Sequence, residues 1–77
     1  MYKKELIRFR TGIDVHTIHD VVTLSEYIHD NEKSEYVVIV YNYKKGSISQ
    51  KSFDNISAAK RRFLFEVENA TIFSDLD

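Results

Sequence analysis

The sequence predicts an α+β fold: a small antiparallel sheet of three or four strands with two helices on one face, a tandem ββα-ββα arrangement being one form of it. Three observations carry this expectation. Residues 36–43, Tyr-Val-Val-Ile-Val-Tyr-Asn-Tyr, are almost all β-branched or aromatic, the types that fit a pleated, half-buried surface. Lys44-Lys45-Gly46 supplies a turn, and a polar run over residues 48–53 returns from it. Asn55 then precedes Ile56, Ala59, Phe63, Val67 and Ala70, which fall at helical spacing on one face.

Taken in order, Leu6-Ile7-Arg8-Phe9-Arg10 alternates in part, with Ile7 and Phe9 on one side, and predicts a strand ending near Thr11-Gly12. Ile13, Val15 and Thr17 alternate again, so a second strand returns from the glycine. Thr23-Leu24-Ser25-Glu26 has the form of a capping box, in which hydroxyl and carboxylate each satisfy an orphan amide. A helix over residues 24–31 then groups Leu24, Tyr27 and Ile28. The competing choice starts that helix at a Thr17 cap and lines up Ile18, Val21, Val22, Ser25 and Ile28. Residues 36–43 are apolar on both faces near their middle, as in a central strand covered on both sides at least in part.

Two hairpin registers are open, one pairing Tyr43 with Ser47 and one pairing Tyr43 with Ile48, and they place Lys51 on opposite faces relative to Tyr41. The polar return strand belongs at a sheet edge. In the last segment, Phe63-Leu64-Phe65-Glu66-Val67-Glu68 also alternates with period two, but the longer helical pattern is favoured. An offset of 34 sets Phe9 on Tyr43, Gly12 on Gly46, Asp20 on Asp54 and Thr23 on Ser57, which is what suggests the tandem units. The expected core is Ile7, Phe9, Leu24, Ile28, Val38, Val40, Ile56, Ala59, Phe63 and Val67.

Composition narrows the function classes. The 77 residues make one domain, residues 73–77 being expected as a frayed tail, and 24 of them are Leu, Ile, Val or Phe. That is well above the roughly 20% below which chains stay disordered. With no cysteine there is no disulfide, no thiolate metal site and no thiol nucleophile. The basic N-terminal stretch has no apolar run behind it, and the longest apolar run is too short to cross a bilayer, so no membrane partner and a cytoplasmic location are expected. Gly12 and Gly46 are the only glycines, which leaves no phosphate-cradling loop. Asp14, His16 and His19 lie near one another in sequence, but the spacing does not demand a metal, and surface histidines near a turn are the plainer account. No cofactor and no catalytic residue are expected.

Charge is the best functional clue. Net charge is only −1, yet it alternates in blocks along the chain, with four basic residues in 1–10 and six in 37–62. Lys44, Lys45 and Lys51 on the hairpin, and Lys60, Arg61 and Arg62 on the helix, form one candidate surface. Arg8 and Arg10 join it if the first strand lies beside the sheet. Tyr41 and Tyr43 add stacking faces, and Phe65 and Phe73 add apolar surface that one small core has no room for. This predicts a non-catalytic, accessory or inhibitor-like protein that binds an unknown protein partner, with a homodimer as one use of the spare apolar surface. The alternative is a nucleic-acid-binding module on the basic hairpin and helix face, disfavoured because such domains are usually strongly basic. In style, with few glycines and no proline, cysteine or catalytic motif, the chain is similar to the accessory proteins of phages and plasmids, a likeness that carries no residue over.

Overall fold

The computed structural model describes residues 1–11, 20–43 and 46–75, with side chains through Ala70. Four strands, β1 (Tyr2–Arg10), β2 (Asp20–Ile28), β3 (Ser34–Asn42) and β4 (Ser47–Phe53), form an antiparallel meander in the order β1-β2-β3-β4. A single helix among the described residues, α1 (Ile56–Asp75), lies over β2, β3 and β4.

Two expectations are overturned. There is one helix where two were predicted, and the ββα-ββα repeat fails because its first half has a strand where the second has a helix. Residues 24–31 do not form the capped helix; residues 20–28 form β2. The reason is both local and tertiary. Val21, Val22 and Thr23 are β-branched and favour extended backbone. An eight-residue helix is marginal by itself, whereas the same segment as a central strand gains hydrogen-bonded neighbours on both sides, β1 and β3. Glu26, which would have closed the capping box, instead accepts from Ser34 Oγ at 2.9 Å and Tyr36 Oη at 3.4 Å across the sheet. The strand expected through Ile13, Val15 and Thr17 lies outside the described residues.

The hairpin registers also differ from expectation. Asn42 opposes Ser47 and Tyr41 opposes Ile48, so the loop has four residues, Tyr43 to Gly46, and neither proposed register holds. Gly46 takes φ +66°, which glycine adopts without penalty. This register places Phe53 opposite Tyr36 on the side facing α1. At the β2–β3 turn, Glu32 takes φ 66°, and its amide donates to the His29 carbonyl at 2.9 Å. Glu32 is thus a left-handed residue closing the turn, a position better suited to glycine. At the other end, Thr11 and Asp20 close β1 against β2 through N–H···O bonds of 3.0 and 3.1 Å. Asn42 Nδ2 donates to Asp20 Oδ1 at 2.6 Å and ties β3 to the same point.

β1 carries a bulge between Glu5 and Ile7, where Leu6 is the extra residue. The bulge corrects the expected core, because Leu6 packs inward while Ile7 is exposed. The core lies between the sheet and α1. Val22, Leu24, Val38, Ala59 and Phe63 are buried in it, with Leu6, Phe9, Tyr36, Val40, Phe53 and Val67 packed around them. Ile56 and Ile28, also expected in the core, fall outside this cluster. Asn55 caps α1 as expected: its Oδ1 accepts from the amides of Ser57 at 2.7 Å and Ala58 at 3.2 Å. No helix among the described residues is long and apolar enough to cross a membrane.

Candidate binding surface

Alternation along the strands divides the sheet into two faces. Val22, Leu24, Val38 and Val40 turn toward α1. The opposite, helix-free face follows from the registers as four rows: Arg10–Val21–Tyr41–Ile48, Arg8–Thr23–Ile39–Gln50, Glu5–Ser25–Val37–Ser52, and Lys3–Tyr27–Glu35. At one end of this face the β4 side is apolar and open to solvent, while Val21 in the same row is buried. Ile48 is 66% exposed and Tyr43 54% exposed, and the Tyr43 ring meets Tyr41 edge-on at 4.5 Å between centroids.

The middle of the same face is closed without a helix. Val37 is 2% exposed and Ser25 1%. Their neighbours form a polar border along that row. Arg8 Nη2 lies 2.8 Å from Glu5 Oε1, and Nε donates to the two carboxylate oxygens at 3.2 and 3.3 Å. Three residues apart in a regular strand, Glu5 and Arg8 would point to opposite faces. The Leu6 bulge puts them on the same one. The Arg8 hydrogen bond holds the Glu5 carboxyl below its ordinary value, and the Glu5 hydrogen bond in turn raises Arg8. On the opposite border, Ser52 and then His29 hydrogen-bond Glu35 and hold its carboxyl low, with His29 Nε2 3.1 Å from Oε2. Lys3 Nζ sits 5.5 Å from the centroid of Tyr27, its directly opposite neighbour.

The residues predicted from sequence divide between two sides. Tyr41 and Tyr43 come together on the helix-free face, where Arg8 and Arg10 join them. Lys51 opposes Val38 and therefore lies on the side of the helix. Lys60 and Arg61 are exposed on α1. Arg62 is engaged with its own helix: Nη2 pairs with Glu66 Oε1 at 2.8 Å, and the guanidinium sits 5.2 Å from the Phe65 ring centroid. Phe65 is exposed on α1, as is Leu64 at 62%. Lys44, Lys45, Asp14, His16 and His19 lie outside the described residues, and so does the side chain of Phe73.

Sequence reasoning did not single out Ile48 or the Glu5–Arg8 pair. Ile48 alternates with Gln50 and Ser52, a visible signal, but its place beside Tyr41 depends on a register that local turn chemistry left open. The Glu5–Arg8 pair depends on a bulge that alternation alone hides. No family model matches the chain, and neither a curated protein nor a solved structure matches it.

Proposed function

We propose that this chain is a non-catalytic binding protein, accessory or inhibitor-like, that occupies a partner protein's surface with the helix-free face of its sheet. One observation carries this reading. Tyr43 and Ile48 are exposed beside half-buried Tyr41 and Ile39, contiguous in the registers, with Arg8 and Arg10 on the same face. Single exposed apolar residues are ordinary; a contiguous aromatic and aliphatic patch with arginines on the same face has the composition of an interface centre. The reading places the protein in the cytoplasm, which the lack of cysteine permits.

Cross-linking capture tests it with three baits: the wild-type chain, a Tyr43→Ala/Ile48→Ser double variant, and Leu64→Gln on the helix as control. A partner held by wild type and by the control but lost by the double variant supports the reading. A partner held equally by all three places the contact elsewhere.

The second reading, nucleic-acid binding, gains from Arg8 and Arg10 lying on the same face as Tyr41 and Tyr43, since sheet-based single-strand binders pair stacking rings with cations. Titration of single- and double-stranded DNA and RNA at two salt concentrations separates the two. Binding that weakens steeply with salt favours nucleic acid, and no binding even at low salt removes it.

A further inference from the structure

An open sheet has two edges, and among the described residues both are free of strand partners: β1 on one side and β4 on the other. Free edges present a row of unpaired amides and carbonyls that templates pairing with another chain, and proteins blunt them with bulges and charge. β1 is blunted in both ways. The bulge between Glu5 and Ile7 breaks its regular ladder, and it carries Lys3, Lys4, Arg8 and Arg10. Paired with itself about its middle residue, Leu6, it would set Lys4 against Arg8 twice, and like charges directly opposite are destabilising. β4 has no bulge and a single cation where β1 has four. Its pairing to β3 runs without a shift from Ser47 to Phe53, it contains no proline or glycine, and its one charged residue is Lys51. No backbone hydrogen bond outside the sheet engages β4 among the described residues.

We infer that β4 pairs antiparallel with β4 of a second copy, about a two-fold axis at Gln50, joining two four-stranded sheets into one of eight strands. Along the strand, Gln50 meets Gln50, Ser49 meets Lys51, Ile48 meets Ser52 and Ser47 meets Phe53. No like charges meet, the small serines face the longer side chains, and the whole length of the strand is used. A second copy is the occupant because this strand opposes itself without like charges, and the Gln50 centre is the one that also pairs all seven residues; a centre at Ser49 leaves Ser52 and Phe53 unmatched, and one at Lys51 would oppose two lysines. Pairing β4 with β1 of another copy would be head-to-tail and run on into an open filament, and the β1 bulge and cations resist it. The two-fold axis stands perpendicular to the sheet, so both helices lie on one side and both helix-free faces on the other. The inference concerns the edge and not the helix-free face, so it stands or falls separately from the partner-binding reading.

The chain has no cysteine, so one can be introduced without background. Cα atoms of directly opposite residues lie about 4.5–5.5 Å apart, inside the span a disulfide bridges. Gln50→Cys is expected to oxidise to a covalent dimer, while Lys4→Cys on β1 stays largely monomeric. Sedimentation then reads the charge test. Gln50→Lys and Gln50→Glu each place like charges at the axis and weaken wild-type dimerisation roughly fivefold or more, while an equimolar mixture of the two restores it. Gln50 is exposed, so circular dichroism of these variants is expected to be unchanged. A wild-type chain that stays monomeric at its highest soluble concentration overturns the inference. So does a dimer that Gln50→Lys and Gln50→Glu leave intact and that Gln50→Cys does not trap.

Discussion

The two faces of the sheet are cut from the same strands, yet they are closed by different means. Toward α1, Val22, Leu24 and Val38 are buried by Phe63 and Ala59, apolar groups carried in from a distant segment. On the helix-free face, Val37 and Ser25 are as deeply buried, but their row is bordered by side chains of the sheet itself: Glu5 held by Arg8, and Glu35 held by Ser52 and His29. The closure stops before the end of that face, where Tyr43 and Ile48 remain exposed. A helix closes a face by bringing apolar area to it. The side chains bordering Val37 and Ser25 stop short of β4's far end: in the Arg10–Val21–Tyr41–Ile48 row Val21 is buried, while Ile48 at the edge is open. The contrast locates the candidate surface without reference to any partner.

The largest expected effect lies on the helix side of the sheet. Phe63→Ala removes the largest buried side chain of α1 among the described residues and is expected to cost about 3–5 kcal/mol in urea unfolding, a large part of the roughly 5–15 kcal/mol available to a small domain. The matching test on the other face is Val37→Ala. If that row is as dry as its burial states, losing two methyl-sized groups costs about 1.5 kcal/mol; a loss near zero would show the border open to water. Asn55→Ala leaves the Ser57 and Ala58 amides without their cap and is expected to cost about 1 kcal/mol, acting on the helix-covered face alone.

Ser25→Ala should act in the opposite direction. Ser25 Oγ is buried with no hydrogen-bond partner among the described residues. A buried hydroxyl without a partner is a net cost, so its removal is expected to raise stability by about 1 kcal/mol. A loss on the same measurement would mean that the hydroxyl has a partner. The smallest effect is that of pH on the border. The Glu5 and Glu35 carboxyls are held below their ordinary value of 4.5 in the folded chain, by the Arg8 and Ser52 hydrogen bonds first. Groups lowered on folding stabilise above the unfolded value, and that contribution fades as pH falls through the folded value. Thermal melts from pH 6 downward are therefore expected to lose less in Glu5→Gln/Glu35→Gln than in wild type below 4.5. Both carboxyls are solvent-accessible, so the difference is small and shrinks with added salt. Identical pH profiles would remove the pairs as a stabilising border.

Much of this could be read locally. The β-branched run at residues 36–41 sets β3, the polar run after Gly46 sets an edge strand, and Asn55 with Ala59 and Phe63 sets a capped amphipathic helix. Each signal concerns residues a few positions apart, where rotamer stiffness, capping and side-chain period act directly on the backbone. Residues 20–28 carry two such signals at once, a capping box at Thr23–Glu26 and a β-branched run at Val21–Thr23, and the structure follows the second. Isolated, neither state of that segment is strongly preferred; the presence of strands on both sides decides it.

The sequence by itself determined the α+β class, the last helix and its cap, the turn at Gly46 and the polar character of one edge. Only the tertiary structure decided that β2 is a strand, that Leu6 and not Ile7 enters the core, that the hairpin loop has four residues, and that Lys51 and Tyr41 lie on opposite faces. The physical reason is that a strand's identity and register are settled by its hydrogen-bonded neighbours. A shift of one residue turns every side chain to the other face, and no interaction within the segment itself opposes that shift.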